Sequence, residues 1–201
     1  MSIVGSVFMG RKKRGNDAIP TWSGFNYQGK VLLLFILKKL NEILSLGTVG
    51  DYTVEIERQE DFVIICKKQS ESFHQVKATL SKSKWSEHIE ALDKLLEHRN
   101  NSDNPTAKCV FIVAKDIIDW DDESNTYSQR IELFKNSGNI VGVCDVKQSI
   151  LSEIQLINGN SGHPAGHEEV IYGELCLFLD YKVAQMHMQS YQKRNYQTNF
   201  S

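Results

Sequence analysis

Apolar residues recur at three- and four-residue intervals from Ser23 to Leu46: Val31, Leu32, Leu34, Phe35, Leu37, Leu40, Ile43 and Leu44, with Lys30, Lys38, Lys39 and Glu42 mostly opposite them. That period predicts a helix with a broad apolar stripe, the kind that packs on a sheet. Ser23 or Asn26 can cap it, and Gly47 and Gly50 stop it. The period then drops to two. Tyr52 to Arg58 alternates Val54 and Ile56 with Glu55 and Glu57, Asp61 to Cys66 is apolar and β-branched, and Phe73 to Thr79 follows a polar turn over Lys67 to Ser72. Three strands on short links predict an antiparallel meander.

Helical spacing returns over Lys84 to Arg99, with Trp85, Ile89, Leu92, Leu95 and Leu96 on one face. Lys108 to Ala114 is almost continuously apolar, as in a strand covered on both faces. Tyr127 to Asn136 reads as a short helix, Ile140 to Cys144 as another buried strand, Val146 to Ile157 as a helix, Asn158 to Gly166 as a loop, and Glu168 to Gln189 as a long helix. The alternation predicts an α/β fold: a mixed central sheet with helices on both faces, plus a C-terminal helix. The chain divides into an N-terminal arm over 1–20, a domain over 21–157, and a loop with a C-terminal helical segment over 158–201 that reads as the start of a further region.

Composition narrows the function classes. The chain has 201 residues, 41% of them hydrophobic, enough for one domain with a real core. Its 23 basic and 25 acidic residues give a net charge of -2, so any nucleic-acid binding must use a local basic face rather than diffuse positive charge. Arg11 to Arg14 form a short basic run in the arm. Cys66, Cys109, Cys144 and Cys176 are widely spaced with no Cys-x-x-Cys pair, which argues against a zinc knuckle and for free thiols in a reducing compartment. The apolar and basic parts of the N-terminus stand in the opposite order to a secretory signal, and no apolar run has the length of a membrane span, so a cytoplasmic protein without a membrane is expected. The Gly-rich phosphate loop of a nucleotide-binding signalling module is absent.

The candidate chemistry lies on the meander. Asp61 opens one predicted strand; Gln75 and Lys77 sit on the next, two residues apart and therefore on one face, with Val76 on the other. A carboxylate able to hold a hard cation, beside a lysine able to orient water or phosphate, suits phosphodiester hydrolysis. On spacing alone, Asp61 can equally be a strand-edge charge that discourages aggregation and Lys77 its cross-strand partner. His74 falls on the face opposite Gln75 and reads as a packing or surface residue. His163 and His167 flank a helix-breaking Pro164-Ala165-Gly166 and read as loop residues, and the acids from Asp116 to Glu123 lack EF-hand spacing.

At these positions (Asp61, thirteen residues, then Gln75-Val76-Lys77) the chain resembles the PD-(D/E)xK nuclease superfamily, in the variant with Gln at the middle position. Gly24-Phe25-Asn26-Tyr27-Gln28 resembles the Gly-x-x-Tyr-Gln opening of double-stranded DNA endonuclease domains in anti-phage defence proteins, both CBASS-associated endonucleases and the effector subunit of Lamassu-type three-component systems. Glu57-x-x-Glu60-Asp61 is similar to the same group. The resemblance spans roughly residues 20–145. It implies a restriction-endonuclease-like core, Mg²⁺ or Mn²⁺ as cofactor, Asp61 as main metal ligand, Gln75 completing the metal site, Lys77 placing the attacking water, and Glu57 as a second acid. Tyr27 and Gln28 would support the site from the first helix, and Lys82 and Lys84 would grip the DNA backbone. It further implies duplex DNA as substrate and an SMC-like ATPase, other defence subunits or a second copy as partners. A subunit keeping the nuclease fold without activity, binding DNA or serving as a scaffold, is the alternative.

Overall fold

The computed structural model describes residues 18–47, 51–56, 61–163 and 165–182. Helix α1 (Ala18–Leu46) leads into strands β1 (Tyr52–Ile56), β2 (Asp61–Cys66) and β3 (Gln69–Lys77). A 3₁₀ turn (Trp85–His88) runs straight into α2 (Ile89–Asn100), followed by β4 (Lys108–Val113), β5 (Glu132–Leu133), α3 (Val146–Asn160) and a helix over residues 168–182, α4. The five strands form one sheet in the order β1-β2-β3-β4-β5. β1, β2 and β3 are antiparallel, while β3, β4 and β5 run parallel, so the sheet is mixed and the fold is α/β.

The sheet is covered on both faces. Val31, Leu34 and Leu37 of α1 and Ile150 and Ile154 of α3 pack with Phe62, Ile64, Val76, Val110 and Ile112 on one side. Leu92, Leu95 and Leu96 of α2 pack with Val63, Phe73, Cys109 and Phe111 on the other. β4 alternates between the two cores and is buried from Cys109 onward, the reason its sequence shows no polar alternation. α4 adds Ile171, Tyr172, Leu175 and Leu179 to the α1 side, and Leu179 lies so close to Gly29 that a Cβ there would stand 2.5 Å from its Cδ2.

The β2–β3 hairpin closes on Lys67 and Lys68, both left-handed at φ 50° and 68°, with Cys66 opposite Gln69. Two left-handed residues in a two-residue loop make the turn whose twist matches paired strands, usually built from Asn-Gly. The register slips between Ile64 and Ile65, leaving Glu71 as the extra residue of a bulge.

Five elements differ from the sequence expectation. β3 starts at Gln69, inside the span read as a polar turn over Lys67 to Ser72, because the hairpin closes in two residues, and it ends at Lys77. α1 contains residues 18–20, assigned above to the arm, and passes through Ser23 and Asn26, the expected caps; Pro20 is tolerated in the first turn, whose N–H groups have no helical acceptors. The helix expected over Tyr127 to Asn136 is a turn followed by β5. Leu133 lies beside Phe111, and Ile131 and Leu133 share one core, so the apolar spacing there serves a period of two. The strand expected over Ile140 to Cys144 does not form: after the left-handed pair Ser137-Gly138 (φ 52° and 84°) the chain folds into the turn that starts α3. α3 itself extends to Asn160, so a line between 157 and 158 falls inside a helix. Among the described residues no helix is long and apolar enough to cross a membrane.

Candidate functional site

The antiparallel register sets Asp61 directly opposite Gln75, with Phe62 opposite His74 and Val63 opposite Phe73. Alternation therefore divides the hairpin cleanly. Positions 61, 63, 73, 75 and 77 belong to the face under α2, and positions 62, 74 and 76 to the face under α1 and α3. Three of the positions named from the sequence thus share one face at the end of the β2–β3 pair. For Asp61 only the backbone is described, and Glu57 lies outside the described residues. Gln75 is 2% exposed, while Lys77 is half-buried at the end of β3, where its carbonyl accepts the N–H of Ala114 at 3.0 Å.

The loop after β3 is tightly organised. The Glu87 carboxylate accepts the backbone N–H groups of Ser83 (2.8 Å) and Lys84 (2.9 Å), bonds that hold its pKa below the usual carboxylate range. The Lys82 ammonium donates to the Glu87 carbonyl at 2.7 Å, and the Trp85 N–H donates to Asp119 at 2.9 Å. Lys82 and Lys84 are both exposed, next in chain order to Lys77. Asp119 is accordingly a loop anchor, and Asp122, which accepts the Ser124 N–H at 3.0 Å, caps its own turn.

This ordered loop ends on a residue the sequence reading did not single out. His88 is 4% exposed, and its ring stands edge-on to Phe111 with centroids 5.2 Å apart. Phe111 is the β4 neighbour of Gln75 in the parallel register, which places His88 over the Gln75 side of the sheet. Its Nε2 is buried without a hydrogen-bond partner. Burial lowers its pKa, and the charges of Lys82 and Lys77 push the same way, with Glu87 opposing. A signal for it did exist: His88, Leu92, Leu95 and Leu96 follow the helical period, whereas Ile89, read as part of the buried stripe, is 40% exposed.

The other sequence-named positions lie elsewhere. Tyr27 is in the core under α1, 1% exposed, its hydroxyl donating to the Val141 carbonyl at 2.7 Å; burial raises its pKa. Gln28 is half-buried on the same helix. α1 covers the face opposite Gln75 and Lys77, so the fold assigns Tyr27 to joining α1 to the 140–142 segment rather than to that face. His74 is stacked on Phe62 at 4.3 Å and edge-on to Phe35, as a packing residue.

Comparison with family models, with curated proteins and with solved structures finds no match to this chain.

The donor set at positions 61 and 75 is a carboxylate and an amide oxygen, the hard oxygen ligands that magnesium takes together with water and substrate oxygens. Among the described residues no group of three or more His, Cys, Asp or Glu side chains could enclose a metal by itself. A separate cleft of about 530 Å³ opens past the end of β4, lined by Asp116, Lys135, Asn136, Asn139, Asp145 and Ser149.

Proposed function

We propose that the chain is a metal-dependent endonuclease domain acting on double-stranded DNA, with a restriction-endonuclease-like core, serving as the effector of an anti-phage defence system. The observation that carries this reading is the β2–β3 register, which sets Asp61 opposite Gln75 with Lys77 two residues on along the same face. Lys77, at the strand end, has the reach to bring an ammonium to a phosphate or to the water that attacks it, acting as a point charge. Lys82 and Lys84, exposed in the next loop, would contact the duplex backbone, and such contacts position DNA without reading its sequence. Magnesium or manganese at Asp61 and Gln75 would neutralise phosphate charge and acidify a bound water. The effector role and its partners, an SMC-like ATPase or a second copy, rest on the family resemblance.

Purified protein incubated with supercoiled plasmid and Mg²⁺ or Mn²⁺ should nick or linearise it, and EDTA should stop the reaction. Lys77→Ala and Asp61→Ala should each abolish cleavage with the unfolding transition preserved. Wild-type cleavage by both variants would remove the assignment. The second reading, a non-cleaving DNA-binding or scaffold subunit of the same fold, is favoured by one observation: the partner of Asp61 across the hairpin is a neutral, buried glutamine rather than a second carboxylate. EDTA-insensitive DNA binding with no cleavage, alone or with partner subunits, would select it.

A further inference from the structure

We propose that the outer face of α4 is a self-association surface, on which a second copy of the chain docks antiparallel with Phe178 at the two-fold axis. The proposal stands apart from the nuclease reading above. One face of α4 is used inside the fold: Ile171, Tyr172, Leu175 and Leu179 pack against the core shared with α1. A surface helix normally presents polar residues on its other side. Here Val170, Leu177, Phe178 and Tyr181, each between 58% and 71% exposed, recur at three- and four-residue steps and so form a second apolar stripe. Apolar side chains gathered on one exposed stripe mark a contact surface, unlike apolar residues scattered singly.

The charges along the stripe say what covers it. Val170, Glu174, Phe178 and Lys182 follow one another at four-residue steps and make a single ridge, on which Glu174 and Lys182 are both exposed. The Lys182 ammonium stands 5.4 Å from the centre of the Phe178 ring, so the two side chains lie together along it. Glu174 and Lys182 are opposite in charge and equally far from Phe178 in sequence. Two such ridges laid antiparallel, with Phe178 facing Phe178, bring each Glu174 alongside the Lys182 of the other copy, a pairing that the symmetry of an isologous contact makes twice. A parallel arrangement would set like charges together instead. The acids at the start of α4 are engaged within the chain: Glu169 pairs with Lys147 at 2.8 Å, and Glu168 accepts the Gly166 N–H at 2.9 Å. A lipid surface fits less well, because Glu168, Glu169, Glu174 and Asp180 outnumber Lys182 on this helix and anionic headgroups attract basic faces.

The test follows the full chain by sedimentation equilibrium from low to high concentration, with the urea midpoint of unfolding measured in dilute solution. Wild type should show a monomer–dimer equilibrium. Phe178→Glu should remove the dimer and leave the dilute midpoint unchanged, since the side chain is more than half exposed. Glu174→Lys and Lys182→Glu should each weaken association about 10-fold or more, by setting like charges together twice across the axis. The double variant Glu174→Lys/Lys182→Glu should return association to near the wild-type value, a recovery that a mere loss of helix stability would not produce. A wild type that stays monomeric throughout overturns the proposal, whether another part of the chain or another protein covers the stripe. A dimer that survives Phe178→Glu, or a double variant that associates no more tightly than the single ones, overturns it too.

Discussion

Acid should weaken this fold through its buried histidines, and for His74 the size of the effect follows from its surroundings. His74 is 2% exposed, stacked on Phe62 and edge-on to Phe35, and burial depresses its pKa from the usual 6.5 to about 3, against a smaller opposing pull from a backbone hydrogen bond at Phe62. The folded chain therefore keeps the imidazole neutral, while the unfolded chain takes up a proton below pH 6.5. Stability is fully present above that value and falls as the pH drops toward 3. Between those limits the unfolded state gains almost the whole free energy of protonation, about 2 kcal/mol by pH 5 relative to pH 7.5. His74→Phe keeps an aromatic ring in the stack and removes the titration. Urea unfolding curves at pH 7.5, 6 and 5 give the free energy for each protein, and the wild-type-minus-variant difference should shrink by about 2 kcal/mol over that range. His88, also depressed by burial, is common to both proteins and cancels in the difference. Two curves that stay parallel down to pH 5 would show that His74 is not held neutral in the core and would refute the reasoning.

Two further outcomes test the frame around the site. Tyr27→Phe strips the partner from the buried Val141 carbonyl and should cost about 1–2 kcal/mol in urea unfolding, while leaving the cleavage rate per folded molecule unchanged; an unchanged midpoint would mean that the hydroxyl does not anchor the 140–142 segment. Replacing Lys67-Lys68 by Asn-Gly should raise stability by about 1–2 kcal/mol, because two non-glycine residues now occupy left-handed conformations in the hairpin loop, and a loss of stability would argue for a different turn.

The sequence exposed the α/β character, the three-strand meander, α2, β4 and α3, because each carries a clean period or an unbroken apolar run. It failed where one apolar spacing serves two geometries. Tyr127, Ile131 and Phe134 satisfy a helical template, yet Ile131 and Leu133 alternate, and only the presence of β4 as a pairing partner decides between them. Ile140 to Cys144 has strand composition, but β5 already takes the place beside β4, and the left-handed turn at Ser137-Gly138 leads the chain across the strand ends. At the candidate site, period two was enough to place Gln75 and Lys77 on one face. The alignment of Asp61 with Gln75 depended on the turn length and on the bulge near Glu71, which lie beyond local pattern. His88 was missed because the apolar face was drawn through Trp85 and Ile89; its helical spacing to Leu92 and Leu95 was the available clue.

The two-residue loop at Lys67-Lys68 has a kinetic consequence. Asp61 and Gln75 meet within a single hairpin, so their juxtaposition needs only a short stretch of chain to close, on the microsecond scale typical of hairpins. Phe111, by contrast, reaches β3 only after the chain has crossed over through α2, and closures of that length are made late. Asp61 and Gln75 would thus be aligned early in folding, whereas Phe111 beneath His88 arrives with the parallel half of the sheet, and a chain halted between those events would hold the hairpin pair without the core on that face.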